Sequence, residues 1–450
     1  MACLLAFVLR VGVAQISITP ALDAFGSIYI AGFGRLRVAR GVHDPIFAKA
    51  LVLDDGRERV ALVSCDLIGL FYEPDVSTVR AVLSRRGSRV RHLFLVCTHN
   101  HEGPDTLGLW GPKGKTGLNL AYQEWLRGRI VRAILEAERR LVPAEAFMAQ
   151  VDHPYLRLAI EDTRPPLVYD HRLYLLTFRT PGGRPISTIV NWANHPEAVG
   201  PRNLLISADY PGVIYREMAD RGGKVLFLPG AIGGLMTPLG DIKVEGKPAP
   251  PPGFERAEAL GRMVARLALG ALEEASPIRE PKIAVLRREV FVPVQNKRFI
   301  SALRLGVLRR PVYAGGRLIK AIPPEGPVWV RTEVAAMRLG EVVLAFAPGE
   351  VYPELVYGGI ERFEGADFPD APFEPPIKPR AGGRPFIFVG LCNDELGYII
   401  PKAEWDAVPP WLCGSKEETY GEVNSCGPEV ARVICEALGE LVKRLSSQPL

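Results

Sequence analysis

The chain has 450 residues, of which 48% are hydrophobic and 23% are charged, a composition typical of a globular protein. Its formal net charge of +5 is too weak a bias to indicate a nucleic-acid partner. No apolar stretch reaches the length of a transmembrane helix, so a membrane-spanning segment is not expected.

The first ten residues are apolar, but they differ from a signal peptide. They lack a basic amino-terminal region, and the apolar run stops at Arg10, where strand-like sequence follows at once. We therefore treat residues 1–10 as a short extension and favour a cytoplasmic protein. Secretion is the alternative, if residues 1–15 act as a signal.

Strand-like and helix-like segments then alternate along the chain, which predicts an α/β fold. Apolar runs of strand length lie at residues 46–53, 59–65, 91–97, 185–192, 224–228, 341–347 and 385–391. Helical periodicity appears at residues 73–85, 119–141, 255–275 and 427–446. These segments predict a large mixed-sheet domain with flanking helices and a functional site at the carboxyl ends of the strands.

Two features of the sequence leave alternatives open. Residues 296–321 contain seven Lys or Arg and no acid, which fits a basic rim, a membrane-facing surface or a solvated face, and we favour the solvated face. Cys413 and Cys426 flank a loop and could pair in an oxidising compartment. The chain has no Cys-x-x-Cys motif, so a cysteine-based zinc site is not expected.

His99 and His101 follow one of the predicted strands directly. Side chains two residues apart lie on the same face of a strand, and imidazole is the commonest metal ligand. Because the chain has only seven His, this placement favours metal binding or catalysis. The alternative is a pair of loop histidines that bond backbone groups.

Three further predicted strands end in residues that can bind a metal, namely His195, Glu350 and Tyr398. A catalytic zinc site needs about three protein ligands and an open position for water. His99, His195 and Glu350 would supply the ligands, and His101 would act as a proton shuttle or oxyanion donor. Taken singly, Glu350 could instead be an acid at a helix start, and Tyr398 a core aromatic.

In this order, the motifs resemble the catalytic domain of the neutral/alkaline, non-lysosomal ceramidases. That family carries Thr-His-x-His-x-Gly-Pro, matched at residues 98–104, and Asn-Trp followed closely by His, matched at residues 191–195. The other matches are Ser-x-Asp at 207–209, Pro-x-Glu at 348–350, Asn-Asp-x-x-Gly-Tyr at 393–398, and a trailing Tyr and Gly-Pro at 420 and 427–428.

The resemblance implies a zinc-dependent hydrolase of linear amide bonds with one Zn²⁺ per chain. The implied zinc ligands are His99, His195, Glu350 and Tyr398. The implied catalytic residues in the same site are His101 and Tyr420. In such an enzyme a zinc-activated water attacks the amide carbonyl.

The chain also departs from the family pattern. The family's Gly-Asp-x-Ser/Asn-Pro turn corresponds to residues 230–238, where the Asp is missing and Thr237 stands at the Ser or Asn position. We place Gly233, Thr237 and Asp209 near the substrate. The sequence ends soon after the last predicted helix, so we expect one ceramidase-like domain over residues 11–447 and no carboxyl-terminal sandwich domain.

The expected partner is a small-molecule or lipid amide, with an N-acyl amide of sphingolipid metabolism as the first candidate. No nucleic-acid partner is expected, and the sequence does not indicate an oligomeric state. Two other functions stay open: a zinc esterase or amidase that acts on a small polar substrate, and a non-catalytic, metal-stabilised binding protein. His101 and Tyr420 favour an enzyme, because a structural zinc site needs no additional proton donors.

Overall fold

The computed structural model of the protein describes residues 8–162, 164–234, 236–324, 326–412 and 415–448. The strands are β1 Arg10–Ser17, β2 Gly41–Val42, β3 Phe47–Asp54, β4 Arg59–Cys65, β5 His92–Cys97, β6 Val142–Pro143, β7 Glu145–Val151, β8 Leu173–Arg179, β9 Pro185–Trp192, β10 Leu205–Ile206, β11 Lys224–Pro229, β12 Lys243–Val244, β13 Lys247–Pro248, β14 Ser276–Pro277, β15 Ile283–Val294, β16 Val312–Ala314, β17 Arg317–Ile319, β18 Val328–Leu339, β19 Val342–Phe346, β20 Glu350–Val351, β21 Phe386–Val389 and β22 Tyr398–Ile399.

The helices are α1 Leu22–Phe25, α2 Ser77–Arg85, α3 Leu120–Arg139, α4 Pro154–Leu158, α5 Asp209–Gly222, α6 Phe254–Glu273, α7 Lys297–Arg304, α8 Pro353–Tyr357, α9 Tyr420–Val423 and α10 Val430–Ser446. Short helical turns lie at Tyr72–Val76, Lys378–Ala381 and Lys402–Glu404. Among the described residues, no helix is both long enough and apolar enough to span a bilayer.

The described part of the chain forms three large mixed sheets. Sheet A has the strand order β5-β4-β3-β1-β6, sheet B has β11-β9-β8-β7-β14, and sheet C has β17-β16-β18-β19-β21 with β15 also paired to β18. Each sheet combines antiparallel pairs with one parallel pair: β4 with β5, β9 with β11, and β19 with β21. The three parallel pairs matter most, because their carboxyl ends lead into the candidate site.

The inner faces of the three sheets share one apolar core. Phe94 of sheet A stacks on Phe346 of sheet C, with ring centroids 4.3 Å apart, and Leu226 of sheet B belongs to the same cluster. Polar side chains also join the sheets in pairs. The Ser64 hydroxyl of sheet A donates to the carbonyl oxygen of residue 227 in sheet B (2.7 Å), and the Asn191 amide of sheet B donates to that of residue 388 in sheet C (3.0 Å).

Each sheet carries helices on its outer face. Helix α3 covers sheet A, α5 and α6 cover sheet B, and α10 covers sheet C. The sequence of α3 shows why: Asn119 caps the helix by accepting a hydrogen bond from the Tyr122 backbone N–H, and the buried residues Tyr122, Leu126 and Ile130 recur every fourth position. The fold is therefore three α/β layers around a common centre.

The predicted α/β class is confirmed, and the predicted strands and helices lie within a few residues of the observed ones. The sequence analysis missed β7, β8, β15, β18, α5 and α7. Charged residues concealed the long strands: Glu333, in the middle of β18, is buried because Arg80 and Arg287 pair with it. The question of a Cys413–Cys426 pair stays open, since Cys413 lies outside the described residues.

We expect Phe346→Ala to reduce the free energy of unfolding by about 3–5 kcal/mol, because it leaves a cavity where sheets A and C meet. Urea unfolding followed by tryptophan fluorescence measures this change. The matched control is Phe291→Ala on β15, where the side chain is 40% exposed, and its expected cost is about 1 kcal/mol. Equal losses in the two variants would contradict a shared core between the sheets.

Candidate metal centre and substrate cavity

The candidate site lies where the three sheets end together. His99 follows β5 of sheet A, and His195 follows β9 of sheet B. Glu350 and Tyr398 begin the two-residue strands β20 and β22, which follow β19 and β21 of sheet C and pair in parallel with these two residues opposite each other. The predicted position at the carboxyl ends of strands is thus where the structure brings these residues together.

Backbone carbonyls hold both of these imidazoles in one orientation. The Nδ1 of His99 lies 2.9 Å from the Ile68 carbonyl oxygen, and the Nδ1 of His195 lies 2.5 Å from the Met236 carbonyl oxygen. A carbonyl only accepts hydrogen bonds, so each Nδ1 carries a proton and each Nε2 is the nitrogen that faces the other side chains of the site. His99 also has a left-handed backbone with φ +65°, a strained conformation that is common at functional sites.

The Glu350 carboxylate faces the Nε2 atoms of both His99 and His195. Its Oε2 lies 2.9 Å from His195 Nε2 and 3.4 Å from His99 Nε2. Burial by itself would raise the pKa of Glu350, but the two imidazoles and the Tyr398 hydroxyl hold it below its ordinary value. Burial lowers the pKa of His99 to about 4, so its imidazole is neutral, as a metal ligand must be.

His101 is buried beside this group, and neither of its ring nitrogens has a hydrogen-bond partner among the described residues. Its Nδ1 lies 3.2 Å from Glu197 Oε2, outside hydrogen-bond geometry. Burial, and then the neighbouring His99 and His195, lower the pKa of His101 well below its ordinary value. Gly32 makes room for the ring, since a Cβ there would lie 2.4 Å from His101 Cγ.

The donor set fits a zinc ion. Ligand atoms of His99, His101 and His195 all lie within 4.8 Å of one another. Buried imidazole nitrogens without a partner are costly unless something binds them, and nitrogen donors with one carboxylate are a usual zinc environment. His99, His195 and Glu350 would hold the ion. His101 lies close enough to be considered as a further ligand.

The two tyrosines differ in their surroundings. Tyr398 is buried, and its hydroxyl interacts with the Glu350 carboxylate. Tyr420 begins α9 and is 54% exposed, with its ring edge-on to Tyr398 at a centroid distance of 5.8 Å. Tyr398 therefore lies within the candidate metal centre, whereas Tyr420 lies at the exposed edge of the site.

The three residues predicted near the substrate have separate positions. Thr237 donates from Oγ1 to Glu197 Oε1 (2.5 Å) at the edge of the site. Gly233 lies behind the site, where a Cβ would come within 2.5 Å of the Tyr352 backbone nitrogen. Asp209 accepts a hydrogen bond from the Val199 backbone N–H (2.9 Å) at the start of α5 and does not line the cavity that contains the histidines.

Two connected spaces meet at these side chains. A narrow cavity of about 90 Å³ extends inward, and its apolar lining includes Ile68, Phe71, Leu107, Leu303 and Leu308. A more open cleft of about 910 Å³ adjoins it; its lining is also mostly apolar but includes the polar side chains of Arg35, Glu161, Glu197, Thr237 and Arg298. His101, Tyr398 and Tyr420 border both spaces. The candidate metal centre therefore lies between a narrow apolar cavity and a wider cleft that has several charged side chains in its lining.

Sequence reasoning missed Glu197 and the residues that line the apolar cavity. Glu197 could have been found, because it lies two residues after His195 in a segment that already indicated a site. The cavity residues come from separate segments of the chain and look like ordinary core positions, so no local pattern distinguishes them.

The fold and the histidine cluster together define an α/β protein with a candidate metal centre. No known family profile matches the chain. The structure is similar to that of a neutral ceramidase from Pseudomonas aeruginosa, with a TM-score of 0.71 and 17% sequence identity, over 99% of this chain and 75% of that one. It is also similar to a ceramidase complexed with C2, with a TM-score of 0.71 and 16% identity, over 98% of this chain and 75% of that one.

These comparisons establish that the chain has the neutral ceramidase fold over nearly its whole length. The resemblance predicted from the motifs is thus confirmed at the level of fold. At 16% and 17% sequence identity, the similarity to these two structures shows a shared fold and not a shared activity.

We expect the protein to bind one zinc ion per chain and His195→Ala to weaken that binding by more than about a hundredfold, because it removes a ligand and not only a supporting group. Competition with a chelator, followed by elemental mass spectrometry, measures the affinity. His171→Ala is the matched control, since His171 pairs with Asp152 away from the site. Wild-type zinc affinity in His195→Ala would show that the ligand set is different.

Proposed function

We propose that the protein is a zinc-dependent hydrolase that cleaves a linear amide bond, with an N-acyl lipid amide as its substrate class. The observation that carries this proposal is the convergence of His99, His195 and Glu350 where a narrow apolar cavity meets a wider cleft with charged side chains. An N-acyl amide has an apolar chain on one side of the amide, which suits the cavity, and a polar group on the other, which suits the charged side chains of the cleft.

Zinc bound there would lower the pKa of a water molecule to about 7 and polarise the amide carbonyl. The remaining groups of the site belong to the chain itself. Tyr420 would donate a hydrogen bond from its hydroxyl to the carbonyl oxygen as negative charge develops. His101 would pass a proton to the amide nitrogen as the C–N bond breaks, so that the products are a carboxylic acid and an amine.

Glu197 supports the role of His101. Its carboxylate lies 3.2 Å from His101 Nδ1 and is held from the other side by the Thr237 hydroxyl. A carboxylate that hydrogen-bonds to a histidine orients the ring and stabilises its protonated form, and a small shift of Glu197 would make this bond. In this proposal Thr237, the residue that departs from the family pattern, positions Glu197.

The apolar cavity supports an acyl chain as the part of the substrate that enters it. Its apolar walls include side chains of Ile, Leu, Phe and Val. The two solved structures that share the fold are named as ceramidases, and ceramide is an N-acyl amide. The open cleft keeps the second candidate, an amidase or esterase for a small polar substrate, under consideration. In that case hydrolysis would be insensitive to the acyl chain.

We expect His101→Ala to keep zinc and to lower kcat by about 10²–10⁴-fold, because it removes a proton-transfer group and not a required ligand. Stopped assays that detect the released fatty acid measure kcat, and elemental analysis of the same sample measures zinc. Loss of zinc in this variant would place His101 in the ligand set. Unchanged zinc and unchanged kcat would contradict its catalytic role.

We expect Leu303→Trp to raise KM for long-chain N-acyl amides by about tenfold or more, because the larger ring fills part of the narrow cavity. The internal control is an N-acetyl amide with the same amine, whose hydrolysis should stay within about twofold of wild type. Equal effects on long and short acyl groups would favour the small-substrate alternative.

A further inference from the structure

The basic segment at residues 296–321 lies over the apolar cavity. Phe299 and Leu303 on helix α7, and Leu308 just after it, line the cavity, although no residue of α7 is fully buried. One side of this segment therefore covers the proposed acyl-chain site while the other side faces outward.

The outward side is cationic. Its exposed Lys and Arg residues, here called the cationic rim, are Lys297, Arg298, Arg304, Arg309, Arg317 and Lys320. Arg298 forms an ion pair with Glu418, but no described carboxylate pairs with Lys297, Arg317 or Lys320. The seventh cation, Arg310, turns inward and pairs with Asp394 at 2.7 Å.

Two exposed leucines lie among these cations in the same segment. Leu305 is 65% exposed at the end of α7, and Leu318 is 63% exposed in the hairpin of β16 and β17. Arg304 precedes the first leucine and Arg317 the second. The Arg304 side chain links the end of α7 to the chain beyond the hairpin, because it donates to the carbonyl oxygen of residue 324 (3.1 Å).

We propose that the cationic rim, with Leu305 and Leu318, docks on an anionic lipid bilayer, from which an N-acyl lipid enters the cavity under α7. This inference rests on the proposed function for the identity of the lipid. Exposed apolar side chains flanked by Lys and Arg match the headgroup boundary of a bilayer, where the leucines enter the lipid and the cations meet the phosphates. An acyl chain would then pass from bilayer to cavity between apolar surroundings.

Charge complementarity fits an anionic partner, and the form of the apolar contacts favours a bilayer over an acidic protein. Leu305 and Leu318 are two separate exposed side chains, whereas the apolar anchors of a protein interface cluster in well-packed pockets. A fluid bilayer accepts isolated projections without matching their shape. An acidic protein is the competing occupant that the experiment must exclude.

The test is sedimentation of the full chain with vesicles, without substrate. We expect binding to phosphatidylcholine vesicles that contain about a quarter phosphatidylglycerol, little binding to pure phosphatidylcholine, and weaker binding as salt increases. The variant K297Q/R317Q/K320Q should bind anionic vesicles about a hundredfold more weakly. The variant L305S/L318S should bind them at least about tenfold more weakly.

The matched control is R85Q/R86Q/R139Q, which removes three exposed arginines from helices α2 and α3 and should bind like wild type. Wild-type binding by the K297Q/R317Q/K320Q variant, equal loss in the control, or no binding of the wild type to anionic vesicles would overturn the proposal. Binding of wild type to polyglutamate but not to vesicles would overturn it in favour of an acidic protein. Vesicle binding by a protein that hydrolyses no amide would leave the docking surface supported and the proposed function refuted.

Discussion

The site depends on two hydrogen bonds that fix the protonated nitrogen of two buried imidazoles. The acceptors are the carbonyl oxygens of Ile68 and Met236, which lie in loops of different sheets. Because each Nδ1 is committed to a carbonyl, each Nε2 is directed to the same carboxylate, that of Glu350. If either loop moved, one nitrogen would lose its direction and the buried carboxylate would lose one of its partners.

The same constraint explains why the altered turn at residues 230–238 is compatible with a working site. The turn supplies the Met236 carbonyl through its backbone, which does not depend on the side chains that differ from the family pattern. Gly233 permits the turn to lie against the segment after Glu350, and Thr237 supplies a hydroxyl to Glu197. Backbone geometry and one hydroxyl are retained although the acidic residue of the motif is missing.

The sequence was sufficient for those parts of the molecule in which local pattern and tertiary role agree. Buried parallel strands read as uninterrupted apolar runs, so β4, β5, β9 and β19 were predicted together with the polar residues at their ends. The long pair β15 and β18 was missed, because charges such as Glu333 are neutralised only by partners far away in sequence. For the same reason the cavity lining and the inward turn of Arg310 could not be predicted, since both depend on contacts between distant segments.

The two polar bridges and the shared core between the sheets also have a consequence for how the protein would acquire a metal. His195 and Glu350 are 155 residues apart in sequence, and they meet only when sheets B and C have closed on each other. Contacts this distant form late, so a nascent or partly opened chain offers zinc only part of the ligand set. If the proposed function is correct, zinc retention would report whether the three sheets have assembled. Because zinc would bind only the folded chain, its contribution to the free energy of unfolding would increase with the free zinc concentration.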